Sequence, residues 1–441
     1  MAEVIVAGGG LAGMAAAVAL ASAGHHATLF ESRGFLGGRA ASFPLLPADP
    51  ASERIDNCQH ILLRCCVNLL DLYRRLGVED RIRFHREFYF VEPGGRLSVL
   101  RAGRLPSPLH LAGSFSRIPF LSARAKTAIA RALVAVRREY GHRQDLDRIT
   151  MLDWLDEKGQ PPDAVSHFWR PVLVSAVNAE LEVMAARHGL QVFRLAFLAG
   201  PDCYEMGVPA VPLGDLYQPE ALAGPGRLEV KLRSPVERFR CAAGAVSGVE
   251  VAGGLLQAGY YVCALPFDRL IAVAPELGRD ISAFRHSPIT GIHLWFDRPI
   301  TDLPHAALLG RTIQWLFNKA GGRYVQIVVS ASASLVAMTK DQIIELALRE
   351  LAEFFPDVPR ATLEKAHVIK ELRATFSPVP GLETVRPVTR TAFGNLFLAG
   401  DWTRTGWPST MEGAVRSGYL AAEAVTEAAG RPRRFLLADV A

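Results

Sequence analysis

Cysteine is scarce in this sequence, and its spacing fits neither a metal site nor a disulfide framework. The 441 residues include six cysteines, none of them in the paired Cys-x-x-Cys spacing of a zinc site. Secreted domains that depend on disulfides carry cysteine at a much higher density. We therefore expect buried, reduced thiols and no metal site. The first apolar run starts at Val4 without a basic leader before it, so we expect a cytoplasmic protein.

Long apolar runs and charge of one sign are missing as well. No apolar stretch reaches the roughly 18 residues that a membrane-spanning helix needs. The 49 basic and 44 acidic residues give a formal net charge of +5 and are spread along the chain. Nucleic acid is therefore not an expected partner. The mean hydropathy of +0.16 is high for a soluble enzyme, which leaves attachment to a membrane surface open.

The chain opens with the pattern of a nucleotide-binding βαβ unit. Residues 4–7 read VIVA, as in a buried parallel strand, and residues 8–13 read GGGLAG. An alanine-rich helix over residues 15–23 and a strand over residues 27–30 follow. A glycine motif in this context is typical of dinucleotide binding, whereas the motif alone is weak evidence.

Each glycine of this motif has a physical reason. Gly8 permits the tight turn, Gly10 lets a pyrophosphate approach the backbone, and Gly13 lets helix and strand pack closely. The helix N-terminus then faces the phosphates. Glu31 can accept hydrogen bonds from an adenosine ribose and would repel the extra phosphate of NADP. The candidate contacts in this unit are Gly8, Gly10, Leu11, Ala12, Gly13, Glu31 and Ser32.

Two further segments favour FAD over NAD. Gly38 and Arg39 form a second flexible turn whose cation can neutralise the same pyrophosphate. Near the other end, a buried strand over residues 395–399 leads to Gly400 and Asp401, and Asp401 can bind a ribityl hydroxyl. A capping pattern at residues 409–412 then opens a helix over residues 413–429, whose N-terminus can stabilise charge on a reduced flavin.

With these motifs the chain resembles the superfamily of flavin amine oxidases and phytoene desaturases. The resemblance rests on the first glycine motif and on residues 400–403 (GDWT) and 411–418 (MEGAVRSG). It implies FAD, bound non-covalently because no cysteine follows Cys263. It also implies an unidentified reductant, since no second glycine motif offers a nicotinamide site. The FAD contacts that the resemblance adds are Gln59, Val236, Ala264, Gly400, Asp401, Met411, Glu412 and Ala414.

The resemblance also predicts the architecture. The fold class is α/β, with a discontinuous Rossmann-like FAD-binding domain of the glutathione-reductase type and a second α+β substrate domain. We assign residues 1–83, 214–270 and 387–430 to the FAD domain. We assign 84–213 and 271–386 to the substrate domain, and 431–441 to a C-terminal tail. A chain of this length commonly forms two domains.

Three segments are similar to one branch of the superfamily, the squalene-associated hydroxysqualene dehydroxylases. They are residues 56–60 with 69–77, residues 168–171 with 174–178, and residues 405–408. This branch implies removal of an allylic hydroxyl from a C30 isoprenoid in the squalene and hopanoid pathway, with hydride from reduced FAD. Cys58 departs from the glycine expected there, and a positive φ at this position would strain it.

Dehydroxylation needs an acid for the leaving hydroxide and a dry pocket. His60 and Asp56 are the candidate catalytic residues, although a structural histidine is an equally good interpretation of His60. Trp169, Trp402 and Trp407 are candidates for the substrate pocket, with core packing as the alternative.

The remaining expectations concern partners and competing functions. A basic amphipathic helix over residues 123–140, beside an apolar loop, can rest on the inner membrane and admit a lipid, or can be an ordinary surface helix. Upstream squalene-pathway enzymes are potential partners. A carotenoid-type desaturase, a flavin amine oxidase and a non-catalytic FAD-bound scaffold remain alternative functions.

Overall fold

The fold is given by a computed structural model that describes residues 1–440 except 47, 50, 51, 223–226, 243 and 279. Its helices are α1 (Leu11–Ser22), α2 (Val67–Arg75), α3 (Ala112–Ser116), α4 (Ala123–Glu139), α5 (Met151–Glu157), α6 (Pro162–Ala164), α7 (Arg170–Val177), α8 (Ala186–Val192), α9 (Pro219–Leu222), α10 (Phe267–Val273), α11 (Lys340–Phe354), α12 (Leu382–Val385) and α13 (Met411–Ala428).

The strands form several sheets. They are β1 (Glu3–Ala7), β2 (His26–Phe30), β3 (Ser42–Pro44), β4 (Arg54–Asp56), β5 (Leu62–Leu63), β6 (Ile82–His85), β7 (Glu87–Val91), β8 (Leu97–Arg101), β9 (Met206–Pro209), β10 (Leu228–Lys231), β11 (Val236–Ala242), β12 (Ala245–Val251), β13 (Gly254–Leu256), β14 (Tyr260–Cys263), β15 (His286–Phe296), β16 (His305–Leu308), β17 (Trp315–Ala320), β18 (Tyr324–Ser330), β19 (Leu363–Phe376) and β20 (Leu396–Leu398).

A parallel sheet in the order β10-β2-β1-β14-β20 carries the nucleotide-binding motif. Its strands are short apolar runs, and β1 pairs in parallel with β2 on one side and β14 on the other. Gly8 has φ +107°, which only glycine adopts readily. A Cβ on Gly13 would lie 1.9 Å from the carbonyl oxygen of Gly8, so strand and helix approach as closely as the sequence pattern predicts.

The last long helix packs directly on the first. Thr410 caps α13 by accepting a hydrogen bond from the Gly413 amide at 3.0 Å, one residue later than the capping pattern at residues 409–412 predicts. Gly418 in α13 faces α1, where a Cβ would lie 2.2 Å from the carbonyl oxygen of Ala12. The two halves of the nucleotide site, nearly 400 residues apart in sequence, therefore meet.

A mixed sheet in the order β19-β15-β18-β17-β16-β7-β8 forms the second layer. The sequence predicts strands over 291–296 and 324–329, and β15 and β18 confirm both as an antiparallel pair. Helix α11 covers one face, and a capping box of Thr339 and Gln342 starts it. The predicted α/β class with a Rossmann-like domain is confirmed. The exact division into domains stays a prediction.

Helices α3 to α8 form a third region beside the mixed sheet. Helix α4 runs over most of the predicted amphipathic segment; Ser122 caps it, and Ala125, Ile129, Ala132 and Val136 are buried. Within the described ranges, no helix is both long and apolar enough to cross a membrane. The C-terminal tail folds back on α13, where Phe435 is buried.

We predict that Gly418→Ala lowers stability. The added methyl group has no space between α1 and α13, and such overpacking costs about 1–3 kcal/mol. The matched control is Gly113→Ala in α3, where a Cβ meets nothing within 4 Å, and where alanine adds about 0.5–1 kcal/mol of helix propensity. Thermal unfolding measures both. A Gly418→Ala protein as stable as its control would contradict the close helix packing.

Candidate functional site

One long cavity of about 1290 Å³ joins the nucleotide motifs to the helical region. Sites for a single small molecule usually occupy about 300–1,000 Å³, so the space suits more than one ligand. Glycine-rich turns line one end, and aromatic and aliphatic side chains line the other. The apolar arm is formed by Phe88, Phe90, Leu100, Leu133, Phe168, Val172, Phe193, Leu195, Phe197, Trp315 and Phe317.

Glu31 marks the adenosine end. One carboxylate oxygen accepts from the Gly9 amide at 2.8 Å. The other accepts from the Arg33 amide at 2.7 Å and the Ser32 hydroxyl at 3.0 Å. These donors hold the carboxylate in place at the end of β2, where Glu31 and Ser32 line the cavity together with Val236. The position suits an acceptor for ribose hydroxyls.

The two glycine turns form an open cradle at the start of α1. A Cβ on Gly10 would meet only the Cα of Gly38, at 3.9 Å, so the backbone there is bare toward the cavity. Leu11, Ala12 and Ala264 line the same space. A helix N-terminus behind bare backbone binds a pyrophosphate favourably. Gly13 lies behind this wall, where it lets the helix and the strand pack closely. It is not among the described residues that line the cavity.

Arg39 lines the cavity beside Gly38, and its guanidinium is held by neighbouring groups. Its guanidinium lies 2.5 Å from the carboxylate of Asp401 and donates to the carbonyl oxygen of Ala374 at 3.0 Å. Asp401 is buried and also accepts from the hydroxyl of Ser409. The attraction of the buried carboxylate explains the orientation. Gly400 and Asp401 line the cavity, as a ribityl contact requires.

The N-terminus of α13 reaches the cavity through Met411, Glu412 and Ala414. The carboxylate of Glu412 points to α2, where it accepts from the Leu69 amide at 2.8 Å and the side-chain amide of Asn68 at 2.8 Å. Burial raises the pKa of Glu412, and these hydrogen bonds oppose the rise. Glu412 therefore fixes the helix whose first residues, Met411 and Ala414, line the cavity.

A buried arginine that the sequence analysis missed shapes the C-terminal loop. Arg386 donates to the carbonyl oxygens of Asp401 and Trp407, both at 2.8 Å, and pairs with Glu383 at 2.7 Å. Its side chain is 1% exposed. Because the loop carbonyls lie 15 to 21 residues away in sequence, no local pattern indicates the contact.

His60 lies in the cavity wall on the loop of residues 57–60. Its Nδ1 is 3.0 Å from the carbonyl oxygen of Cys58, so the δ nitrogen carries the proton in the neutral ring. Burial lowers the pKa of His60, and the carboxylates of Asp56 and Glu371 raise it. Glu371 lines the cavity and is a carboxylate that the sequence analysis missed.

Cys58 and Gln59 complete this wall. Non-glycine residues with positive φ among those described are Asn178, Arg233 and Ala331, so Cys58 carries no such strain. Burial raises the pKa of its thiol to about 12. Gln59 lines the cavity as predicted, and beside it the side-chain oxygen of Asn57 is buried without a hydrogen-bond partner among the described residues.

Asp56 needs a correction. Its carboxylate accepts from the Ser42 hydroxyl at 2.6 Å and the Leu213 amide at 2.9 Å, and it lies 3.3 Å from Lys319 Nζ. It is not among the described residues that line the cavity. With both oxygens engaged behind the wall, Asp56 supports the site and does not face a substrate.

The three tryptophans separate into two groups. Trp402 and Trp407 line the cavity, and their indole nitrogens donate to the Leu265 carbonyl oxygen at 3.0 Å and to Asp439 at 3.1 Å. The prediction that Trp169 belongs to the substrate pocket needs a correction. Trp169 is fully buried, donates to Gln160 at 2.9 Å, and is not among the described residues that line the cavity. Its neighbour Phe168, on the same π-helical turn over Val165–Trp169, lines the cavity.

Comparison with known protein families identifies the cofactor that the cavity binds. The family described as "Flavin containing amine oxidoreductase" matches residues 11–426. The chain belongs to this family. Its cofactor is therefore FAD, and the protein is a flavin-dependent oxidoreductase. The site fits the group: a bare cradle at Gly10, an anchored acceptor at Glu31 and an unpartnered amide oxygen at Asn57 offer contacts along one cavity.

Named relatives and solved structures agree with this assignment. The chain is 27% identical to a 15-cis-phytoene desaturase of an Oncidium hybrid cultivar, over 96% of this chain and 78% of the relative. It is 26% identical to the 15-cis-phytoene desaturase of Synechococcus elongatus, over 96% and 95%. An oxidoreductase from Methanosarcina mazei shares the fold with a TM-score of 0.72 at 16% identity, covering 94% of this chain and 98% of that one. A putrescine oxidase shares it with a TM-score of 0.70 at 15% identity, covering 97% and 98%.

We predict that Gly10→Val weakens cofactor binding without unfolding the protein. Gly10 has φ −76° and ψ 177°, which valine adopts, but its side chain would fill the cradle. FAD affinity should fall by roughly tenfold or more, measured by flavin fluorescence on the apoprotein. Gly394→Val, where a Cβ meets nothing within 4 Å, is the control. Unchanged FAD affinity in Gly10→Val would place the pyrophosphate elsewhere.

Proposed function

We propose that the protein uses FAD for a redox reaction on a long-chain isoprenoid, namely the reductive dehydroxylation of hydroxysqualene to squalene. One observation carries the proposal. The three segments similar to hydroxysqualene dehydroxylases, far apart in sequence, each contribute to the wall of the same cavity. Their lining residues are Asn57, Cys58, Gln59, His60, Leu69, Phe168, Ser175, Ala176, Asn178, Trp407 and Pro408.

The reaction replaces a carbon–oxygen bond by a carbon–hydrogen bond. The hydroxyl leaves as water after gaining a proton, and a hydride takes its place, so the substrate gains two electrons and the cofactor loses two. FAD supplies the hydride when it is bound and reduced. The apolar arm lined by Phe168, Phe193 and Trp315 holds the isoprenoid chain and keeps water from capturing the allylic cation.

His60 is the proposed proton donor. It is the histidine on the wall loop beside Gln59, and it reaches the cavity. Because burial lowers its pKa, the protonated ring is a stronger acid than an exposed imidazolium and gives up its proton readily to a leaving hydroxide.

Desaturation of an isoprenoid is the second candidate, because the named relatives are carotenoid desaturases. The two reactions move electrons in opposite directions. Desaturation takes a hydride from the hydrocarbon and needs oxidised cofactor, whereas dehydroxylation gives a hydride and needs reduced cofactor. An inert, cofactor-bound scaffold would respond to neither substrate.

Anaerobic mixing separates these functions. Hydroxysqualene is added to dithionite-reduced protein, and phytoene is added to oxidised protein. The proposal predicts oxidised flavin bands and one squalene per flavin in the first mixture, and no change in the second. Bleaching of the second mixture would assign a desaturase. An unchanged flavin spectrum in both mixtures would reject both reactions.

We predict that His60→Gln lowers the dehydroxylation rate by roughly 10²-fold or more. The pKa of His60 in the folded protein is lowered from 6.5, so the fraction of protonated His60 increases as the pH falls toward that lowered value. The rate of the natural protein should therefore rise from pH 8 to pH 6, and the rise should vanish in the variant. Single-turnover reoxidation of reduced flavin measures both. An identical pH slope in His60→Gln would remove His60 from the reaction.

We further propose that the mouth of the apolar arm rests on a membrane surface. Leu109 and Val134 line the cavity at its mouth and are 57% and 50% exposed. Arg137 and Arg138 line the same rim on α4. Exposed apolar side chains next to cations suit the interface of an anionic bilayer, where a hydrophobic substrate is dissolved.

We predict that a variant with both Leu109→Asp and Val134→Asp loses binding to vesicles of anionic phospholipid. Each change replaces an apolar side chain that the bilayer would cover with a negative charge that anionic lipid repels. Leu256→Asp is the control, since Leu256 is 41% exposed and lies outside the described cavity lining. Co-sedimentation measures binding. Equal losses in both proteins would argue against a docking role for the mouth.

A further inference from the structure

Lys319 joins the mixed sheet to the wall of the FAD site. It lies near the end of β17, and its Nζ donates to the side-chain oxygen of Gln59 at 2.9 Å and lies 3.3 Å from the carboxylate of Asp56. The lysine side chain is 19% exposed and that of Asp56 is 2% exposed. A largely buried ammonium group with two such partners has a defined position.

The partners of Lys319 are themselves fixed. The other oxygen of Asp56 accepts from the Ser42 hydroxyl and the Leu213 amide, and Ser42 in turn accepts from the Gly214 amide at 2.9 Å. Strand β4 therefore cannot shift without breaking several buried hydrogen bonds. Lys319 is the contribution of the mixed sheet to this network.

Gln59 connects this hydrogen-bond network to the cavity. Its oxygen is held by Lys319, and its nitrogen donates to the carbonyl oxygen of His60 at 3.2 Å. The side chain thus has no free rotation, and it lines the same cavity as Gly10, Asp401 and Met411. Close packing supports the loop from behind, since a Cβ on Gly291 would lie 2.9 Å from the carbonyl oxygen of Asn57.

We propose that Lys319 is a positioning residue for the bound flavin: it fixes Gln59 in the wall and neutralises the buried carboxylate of Asp56 behind that wall. Without Lys319 the buried carboxylate of Asp56 would keep an uncompensated negative charge behind the wall, and such a charge disfavours a reduced, negatively charged ring. The mixed sheet, which lies next to the substrate space, thereby contributes to the redox properties of the cofactor. This role does not depend on which isoprenoid is the substrate.

The chain offers a matched control in Lys365. This residue of β19 also connects the mixed sheet to the segment before β4, through an ion pair with Glu53 at 2.7 Å. Its side chain is 41% exposed and that of Glu53 is 42% exposed, and neither lines the described cavity. An exposed pair of this kind contributes little.

The test compares Lys319→Met, Lys319→Arg and Lys365→Met as apoproteins and after FAD loading. We expect Lys319→Met to weaken FAD binding by about tenfold, the loss typical of one charge-assisted hydrogen bond, and to lower the flavin midpoint potential. Lys319→Arg should recover most of both, and Lys365→Met should match the natural protein. Natural FAD affinity and potential in Lys319→Met, or equal shifts in Lys365→Met, would overturn the proposal.

A second variant covers the case in which Lys319→Met does not fold. Gln59→Leu leaves the pair of Lys319 and Asp56 in place and removes only the link to the cavity. We expect weaker FAD binding with unfolding of the apoprotein close to that of the natural chain. A Gln59→Leu protein with natural FAD affinity would show that the link from Lys319 to the cavity does not position the flavin.

Discussion

The close contact of helices α1 and α13 is the constraint on which the site depends. Small residues on both helices let the backbones approach until a single methyl group has no room at Gly418. This contact places the helix that begins at Met411 beside the helix that begins at Leu11. Two positive helix ends therefore point into one cavity, where the cofactor carries its phosphates and, when reduced, its negative ring.

Buried polar groups hold the remaining wall in place around that contact. Arg386 binds the carbonyl oxygens of the loop after Gly400, Glu412 binds α2, and Asp56 binds β3 and the segment after β9. Each is satisfied by several partners, which offsets the desolvation of a buried charge. The result is a rigid cofactor end joined to an apolar arm, a combination that suits hydride transfer to or from a water-insoluble substrate.

The cofactor end was predictable because its signals are local. A tight turn, a bare backbone and a helix start require glycine at fixed spacing, so Gly8, Gly10 and Gly13 could be assigned from the sequence. The contacts of Lys319 with Gln59, and of Arg39 with Asp401, span 260 and 362 residues, and no spacing rule indicates them. Asp56 and Trp169 were candidates because they stand in segments that resemble the family, and a motif does not show which side of a wall a side chain occupies; both lie behind the wall.

Flavin absorbance during titration with squalene tests the central claim most directly. In the proposed function the cofactor and the isoprenoid chain share one continuous cavity, so squalene bound to the oxidised holoprotein should shift the flavin bands to a saturating value. Shortening Phe168 to alanine in the apolar arm should weaken that titration without changing FAD affinity. Squalene that binds without any change in the flavin spectrum would contradict a shared cavity.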